Sequence, residues 1–292
     1  MSESQRQRLL ITHDSSLMTD RPRIGLALSG GAARGIAHVG VLRALEENSI
    51  PINAIAGASA GALVGGCYAA GLTIEQLEGL VRKFRWRQTG RISFSRLGLQ
   101  SNARMETFLR ANLPTTRFEE LRIPFAAMAT DLRAGTVVVM RDTGDLAFAI
   151  RASTCIPGLY VPVRDADGRQ LVDGGLVANL PIRHTRQLGA DLIIGVDLGA
   201  EGATFFDQPR TILGVLARTF VAVERVVNHQ ERDEADLIIV PKIGHIRWDQ
   251  TRRAQELLDA GYEAGLESIN RIRELFDRHT ALLNQTARSV NS

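Results

Sequence analysis

Two short apolar runs, each followed at once by glycine and then by a helical pattern, most constrain the fold of this chain. Residues 24–28 end at Ser29-Gly30-Gly31, and residues 52–56 run into Gly57. Between them, apolar residues recur at helical spacing at Ile36, Val39, Leu42 and Leu45. Strand, turn, helix, loop and strand in this order form the repeating unit of a parallel sheet, so the pattern predicts an α/β fold.

The rest of the chain continues this alternation of strand and helix. Further strands are predicted at residues 125–131, 136–140, 170–172, 191–197 and 236–240. Helices are predicted at residues 73–83, 102–112, 145–153 and 208–231 and from residue 253 onward, where Leu257, Leu258, Tyr262 and Leu266 share one side. Residues 85–101 are predicted to be irregular. We expect a single domain over residues 23–285, between a flexible tail at residues 1–22 and a tail at residues 286–292.

The composition limits which binding partners and which cellular compartment are expected. With 35 basic and 32 acidic residues the formal charge is only +3, so nucleic acid is not an expected partner. The chain lacks a run of about 18 apolar residues that could span a membrane, and residues 1–20 lack the apolar core of a signal peptide. Cys67 and Cys155 have no metal-ligand spacing. We therefore expect a cytoplasmic protein.

The segment Gly57-Ala58-Ser59-Ala60-Gly61 is typical of a nucleophilic serine. It lies between a predicted strand and a predicted helix, and a sharp turn there lifts the serine clear of the backbone. Such a turn brings the residues two before and two after the serine together, and glycine at both positions removes the colliding side chains. The helix N-terminus also favours developing negative charge. A chance turn of small residues is the alternative interpretation.

The glycine-rich turn after the first strand, residues 29–35, allows two functional interpretations. A dinucleotide site would need glycine where Ala32 stands and an acidic residue after the second strand, and the sequence has neither. Backbone N–H groups of such a turn can instead form an oxyanion hole, to which Arg34 would add charge or order. A simple helix-capping turn is the alternative for any one glycine.

A third candidate segment is Asp173-Gly174-Gly175, at the end of the strand predicted at residues 170–172. Active sites of open α/β sheets lie at the carboxyl edge, where we expect all three segments to meet. A nucleophile, a base and an oxyanion hole are what an acyl hydrolase needs. The sequence therefore predicts an acyl hydrolase with Ser59 as nucleophile.

Taken together, these segments resemble the patatin-like phospholipases, in particular the bacterial branch related to the neuropathy target esterase domain. The resemblance covers about residues 23 to 270 and includes Ile156-Pro157-Gly158 and Ala260-Gly261-Tyr262. It implies a three-layer α/β sandwich whose mostly parallel central sheet is flanked by helices. The implied activity is hydrolysis of carboxylic esters of phospholipids or lysophospholipids.

The resemblance also implies the role of each site residue. Ser59 and Asp173 would form a dyad without histidine, in which Asp173 takes the serine proton. The residues Gly30, Gly31 and Arg34 would form the oxyanion segment, with Gly57, Gly61, Gly174 and Gly175 as supporting motif positions. The implied serine chemistry needs no metal and no organic cofactor. Cys155 departs from the small residue usual in the family and is given no catalytic role.

Two other functions are compatible with the sequence. A Ser–His–Asp esterase acting on small esters would need a histidine such as His38 or His184 beside Ser59. A non-catalytic module that binds lipid or protein on the same fold would keep the motifs without turnover.

One stretch suggests contact with a membrane surface. Residues 82–96 contain six basic residues and three aromatic residues and no acid. Basic charge attracts anionic lipid and aromatic rings settle among headgroups, which would place the protein peripherally at the inner membrane face. The shortness of the stretch slightly favours the alternative, a solvated helix end with inward-packed aromatics. The sequence leaves the oligomeric state open.

Overall fold

The computed structural model describes residues 21–83, 90–93, 95–199 and 208–290. The expected tail at residues 1–22 falls almost entirely outside this part of the chain. The division into domain and tails therefore stays a prediction. At the other end the last helix continues to Val290, beyond the expected boundary at residue 285.

Eleven strands are present in the described residues. In chain order they are β1 Ile24–Leu28, β2 Ala54–Ala58, β3 Arg91–Ile92, β4 Gly98–Ser101, β5 Phe125–Asp131, β6 Thr136–Arg141, β7 Gly158–Tyr160, β8 Val163–Arg164, β9 Gln170–Asp173, β10 Leu192–Val196 and β11 Leu237–Ile239. The prediction that residues 85–101 are irregular is wrong for β3 and β4. These two- and four-residue strands are too short to give a period-2 pattern.

The described helices follow the predicted positions closely. They are α1 Ile36–Glu47, α2 Ala60–Ala69, α3 Ile74–Lys83, α4 Ala103–Asn112, α5 Leu146–Ser153, α6 Ile182–Gln187, α7 Ile212–Arg232 and α8 Ala254–Val290. A capping box begins α3, in which Thr73 and Gln76 exchange side-chain-to-backbone hydrogen bonds of 2.9 and 3.2 Å. Among the described helices none is long and apolar enough to cross a membrane.

The central sheet is mixed and contains eight of these strands. Its order is β11-β10-β1-β2-β5-β9-β8, and β6 also pairs with β5. The five strands from β11 to β5 are parallel to one another, whereas β6, β8 and β9 are added antiparallel. A second sheet of β3, β4 and β7 lies apart from it. The predicted α/β sandwich with a mostly parallel central sheet is confirmed.

Side chains that alternate along β1 show which helices cover each face of the central sheet. Ile24, Leu26 and Leu28 belong to the main core with α1, α2 and α8, whereas Ala27 belongs to a smaller core with α6. The α6 face is lined by small residues because that helix lies close to the strands. A Cβ atom built on Gly25 would lie 2.5 Å from Thr185 Cγ2. Successive residues of a strand point to opposite faces, so the composition of β1 fits one wide and one narrow layer.

Helices α1 and α8 touch through glycine rather than through leucine. A Cβ atom built on Gly40 would lie 2.1 Å from Leu258 O, and one built on Gly261 would lie 2.0 Å from Ala37 O. Leu257 and Leu258 are buried as expected, but Leu266 is 41% exposed. The side that these residues share is therefore only partly buried, because the close backbone approach turns a glycine face toward α1.

The edge of β5 explains where the two proposed dyad residues meet. Residues 126–128 of β5 pair with both β2 and β6, and residues 129–131 pair with both β6 and β9. Since a strand has only two edges, β2 and β9 share the edge opposite β6 and approach each other end to end. Their carboxyl ends therefore meet, Ala58 beside Met128 and Asp173 beside Ala129.

Candidate active site

Ser59 occupies a sharp turn between β2 and α2, as predicted. Its backbone has φ +50° and ψ −118°, a conformation that a residue with a side chain rarely adopts. A Cβ atom on Gly57 would lie 2.5 Å from Gly61 C, and one on Gly61 would lie 2.1 Å from Leu28 O. Both glycines are therefore sterically required, and the turn presents the Ser59 side chain at the end of the sheet.

Two hydrogen bonds hold Ser59. Its backbone N–H donates to Ser153 Oγ at 2.9 Å, and its Oγ donates to Asp173 Oδ2 at 2.7 Å. Both proposed dyad residues are buried, Asp173 completely. Ser153 is the last residue of α5, and its role in positioning the turn was not predicted from the sequence.

Asp173 is held at the end of β9 by the turn that follows it. Its Oδ1 accepts the Gly175 N–H at 2.9 Å, and a Cβ atom on Gly174 would lie 2.3 Å from Met128 O. Burial raises the pKa of Asp173 to about 7, although the Gly175 N–H and the Ser59 hydroxyl both oppose this shift. A carboxyl with a pKa near neutrality can exchange a proton with a neighbouring hydroxyl.

Asp173 reaches this position by a route that differs from the expected one. The sequence interpretation placed all three segments at carboxyl ends of parallel strands. The strand that carries Asp173 is antiparallel to β5, and Asp173 meets Ser59 because β9 ends where β2 ends. Pairing of a four-residue strand is not encoded in its local pattern, so this arrangement could not be predicted.

The glycine-rich turn lies beside Ser59, but its first amide is already bonded. Gly30 N–H donates to both the backbone O of Asn179, at 3.2 Å, and its Oδ1, at 3.1 Å. The amides of Gly31 and Ala32 have no acceptor within the described residues. Ala32 has a positive φ of 51°, which turns the backbone sharply before the 3₁₀ turn Ala32–Gly35. Of the three oxyanion candidates, Gly31 thus has a free donor.

Arg34 is fixed by the loop that follows β11. Its Nε donates to Ile246 O at 2.7 Å, and the neighbouring Ala33 N–H donates to Trp248 O at 2.8 Å. Burial lowers the pKa of the Arg34 guanidinium, as does the nearby Arg225, and Glu224 opposes the shift. Arg34 thus both anchors the turn and brings positive charge to the site.

A buried polar chain continues from the glycine-rich turn into α7. Asn179 Nδ2 donates to Asn228 Oδ1 at 2.9 Å, and Asn228 Nδ2 donates to Asp197 Oδ1 at 2.7 Å. Arg232 Nε completes the chain with a 2.7 Å ion pair to Asp197 Oδ2. This chain fixes the acceptor that holds Gly30, so it sets the position of the turn relative to Ser59.

Sequence reasoning missed this chain and the acid beside it. Glu224, Asn228 and Glu231 are buried polar residues at helical spacing on one face of α7. Polar residues recurring on a single face of an amphipathic helix are the signal that could have identified them, but a solvated face has the same spacing. Their burial follows from the tertiary position of α7.

A cavity of about 280 Å³ opens onto Ser59. Its polar lining includes Arg34, Glu224 and Arg225 beside the glycine-rich turn. Its wall is mainly apolar, formed by Ile156, Pro157, Leu159, Leu198, Phe220, Val221 and Trp248. An apolar cavity with a few convergent polar groups is typical of a site for a largely apolar ligand.

The two histidines considered for a triad do not contact Ser59 or Asp173. His38 is fully buried, its Nε2 lies 2.8 Å from Ser29 O, and burial lowers its pKa to about 4. His184 Nδ1 lies 3.2 Å from Gln187 Oε1, on α6. The described geometry gives a triad built on either residue no support.

The thiol of Cys155 is likewise remote from any reactive role. Cys155 is buried, its Sγ donates to Val161 O at 3.3 Å, and burial raises its pKa to about 12. A thiol in that state is a poor nucleophile.

The stretch proposed for membrane contact, residues 82–96, is described only in part. Residues 84–89 and 94, which include its three aromatic residues, lie outside the described residues.

Comparison with known proteins identifies the family. Residues 26–186 match the Patatin family, described as patatin-like phospholipase. This match spans more than half of the chain and contains the segments around Gly30, Ser59 and Asp173. The chain therefore belongs to the patatin-like phospholipase family, and the resemblance inferred from the sequence is confirmed.

Related sequences share the same region. An uncharacterized NTE family protein of Mycobacterium tuberculosis is 40% identical over 185 residues, which cover 62% of this chain and 51% of that protein. The lysophospholipase NTE1 of Cryptococcus neoformans is 37% identical over 184 residues, which cover 61% of this chain and 11% of that protein. The alignment thus spans about half of the mycobacterial relative and a small part of the fungal one.

A solved structure supports the fold. The crystal structure of VipD from Legionella pneumophila superposes with a TM-score of 0.52 and 17% sequence identity, covering 86% of this chain and 67% of that chain. At this identity the likeness concerns the fold alone.

Proposed function

We propose that this protein is a serine acyl hydrolase that cleaves carboxylic ester bonds of lipids through a Ser59–Asp173 dyad. The observation that carries the proposal is the 2.7 Å hydrogen bond from Ser59 Oγ to Asp173 Oδ2, at the floor of an apolar cavity. Membership of the patatin-like phospholipase family and relatives named lysophospholipase support ester hydrolysis.

The dyad would work in two steps. Asp173 takes the Ser59 proton as Ser59 Oγ attacks the ester carbonyl, and the carbonyl oxygen becomes negatively charged. The free amides of Gly31 and Ala32 donate to that oxygen, and the proton on Asp173 passes to the leaving alcohol. Water, deprotonated by Asp173, then attacks the acyl-Ser59 ester, and Asp173 passes that proton to Ser59 Oγ as the carboxylic acid is released. The pKa of about 7 allows Asp173 to act first as base and then as acid.

The lining of the cavity favours an ester with a negatively charged headgroup. The apolar wall suits an acyl chain, while Arg34 and Arg225 bring two guanidinium groups to the polar end. Guanidinium groups bind phosphate well because their donors match its oxygens. We therefore infer a phospholipid or lysophospholipid substrate rather than a neutral glyceride.

Contact with a lipid surface would take place at the start of α7. Ile212, Val215 and Leu216 are 83%, 50% and 47% exposed, and Thr211 and Gly214 beside them line the cavity. Apolar side chains at the mouth of a lipid site can enter the outer layer of a membrane. Co-sedimentation of an I212S/L216S variant with vesicles checks this. We expect the variant to bind vesicles less than wild type does. Binding equal to wild type would contradict the proposal that the start of α7 contacts lipid.

The test of the proposed function is a fluorophosphonate probe followed by an ester panel. We expect the probe to label wild type at Ser59 and to leave Ser59→Ala unlabelled. Release of fatty acid should be faster from lysophosphatidylglycerol than from monoacylglycerol of the same chain length. A folded wild type that neither reacts with the probe nor releases acid would favour a non-catalytic binding module. Faster turnover of the neutral lipid would contradict the phosphate assignment.

A further inference from the structure

The carboxyl of Glu224 lies at the reaction centre although it belongs to neither dyad nor glycine-rich turn. A Cβ atom built on Gly30 would lie 3.0 Å from Glu224 Oε1 and 3.2 Å from Ser59 Cβ. Glu224 Oε1 and Ser59 Cβ therefore lie within about 6 Å of each other. A Cβ atom on Gly175, next to the Asp173 turn, would lie 2.7 Å from the same oxygen.

The Glu224 side chain is 9% exposed, lines the cavity, and has no hydrogen-bond partner in the described part of the chain. The neighbouring Asn179 amide is already used by Gly30 and Asn228. Its oxygens are not sealed within the protein, because the residue lines the cavity, so their hydrogen-bonding capacity points to a ligand that enters there.

The surroundings of Glu224 favour its protonated form. Burial raises its pKa well above the usual range, and the negative charges of Asp173 at the end of β9 and Asp197 at the end of β10 raise it further. Arg34, in the 3₁₀ turn, opposes this shift, and Arg225 follows on the same helix. Two neighbouring carboxyls whose pKa values are driven apart divide into an acid and a base.

We propose that Glu224 is a further catalytic residue, a neutral carboxylic acid whose O–H donates a hydrogen bond to the substrate oxygen that becomes negative when Ser59 attacks. This inference rests on the proposed function, because it needs Ser59 to be the nucleophile. It supplies a donor where the Gly30 amide is already bonded to Asn179. The proton stays on Glu224 throughout, and the protons that move are relayed by Asp173, from Ser59 to the leaving alcohol in the first step and from water to Ser59 in the second.

Three variants separate this role from a structural one. Glu224→Ala removes the donor, whereas Glu224→Gln keeps a neutral donor of the same size. The control is Glu231→Gln on the same face of α7, where the carboxyl accepts the Ile182 N–H at 3.0 Å and does not line the cavity. Circular dichroism checks that each variant is folded, and kcat and KM are measured with 4-nitrophenyl butyrate between pH 6 and 10.

We expect Glu224→Ala to lower kcat about 100-fold with little change in KM, the effect of removing one oxyanion donor. The kcat of Glu224→Gln should stay within about tenfold of the wild-type value, and the kcat of Glu231→Gln should equal the wild-type value. Wild-type activity should fall at alkaline pH as Glu224 ionises, and this fall should be missing in Glu224→Gln.

Two results would overturn the inference while leaving the proposed function intact. One is a kcat of folded Glu224→Ala within about threefold of wild type, given that a lost oxyanion donor costs far more. The other is a loss in folded Glu224→Gln as large as in Glu224→Ala, which would show that the ionised form acts. If wild type itself has no Ser59-dependent turnover, the proposed function fails and the role of Glu224 fails with it.

Discussion

Replacing the proposed base should stabilise the protein while inactivating it. In Asp173→Asn the side chain keeps an oxygen that can accept the Gly175 N–H, and its amide group can donate to Ser59 Oγ. The hydrogen bonds are thus retained and only the buried charge is removed. Because Asp173 is completely buried, that charge is expensive in the folded state.

The pKa shift sets the magnitude and its dependence on pH. The pKa of Asp173 is raised from its usual 3.8 to about 7 by burial. Between these values the unfolded chain has released the proton and the folded chain has kept it, so wild-type stability falls as the pH rises through this window. At about 1.4 kcal/mol per pKa unit, the variant gains about 4 kcal/mol at pH 8 and about 2 kcal/mol at pH 5.

Urea unfolding followed by far-UV circular dichroism at pH 5 and pH 8 measures this difference. The matched control is Asp142→Asn, which removes a carboxylate that is 71% exposed and paired with Arg141. It should change stability little at either pH, because exposed ion pairs contribute little. An Asp173→Asn variant that is no more stable than wild type at pH 8, or whose gain is equal at both pH values, would refute a neutral-range pKa for Asp173.

Three further predictions concern the site and its supports. Between pH 5 and 8, kcat/KM of a short-chain ester should rise with a midpoint near pH 7, since Asp173 must be ionised to accept the serine proton; a flat profile would contradict the dyad. Gly61→Ala should abolish soluble expression, because its Cβ would lie 2.1 Å from Leu28 O. Arg232→Met should lower the free energy of unfolding by about 3 kcal/mol, measured in urea, since Asp197 would remain buried and unpaired; an unchanged midpoint would show that water or another group compensates.

The turn that carries Ser59 could be predicted because the residues that form it are close together in the sequence, whereas the bond from its N–H to Ser153 could not. An apolar strand, glycines two residues before and after the serine, and a helix all lie within a short segment. The backbone of Ser59, with φ +50°, is the strain that such a turn imposes. Local pattern and tertiary structure agree here, so the sequence was sufficient for the turn.

Asp173 could be singled out and expected near Ser59, but the direction of its strand could not be predicted. Its strand was predicted to end at a carboxyl edge shared with β1 and β2. In the structure β9 is antiparallel and meets β2 end to end along β5. The long-range pairing that decides this involves residues 129–131 and 171–173, and neither segment carries a register signal of its own.

The polar residues that α7 contributes to the candidate site could not be predicted, because their role depends on which face of this helix is buried. Glu224, Asn228 and Glu231 have the spacing of a solvated face, and only packing against the end of the sheet makes them interior residues. The helix also exposes Val226 at 60%, so its apolar residues did not mark the buried side cleanly.

The residues of the candidate site come from three elements, β2, β9 and α7. The two proposed functions of the site, activation of the nucleophile and stabilisation of the negative oxygen, depend on different ones. Ser59 and Asp173 meet through β2 and β9, both held by β5. Glu224 and the Asn228–Asn179 link to Gly30 come instead from α7. A shift of α7 would therefore displace Glu224 and the Asn228–Asn179 link that holds Gly30. In the proposed mechanism, nucleophile activation thus depends on the strands that carry Ser59 and Asp173, whereas stabilisation of the negative oxygen depends in part on α7.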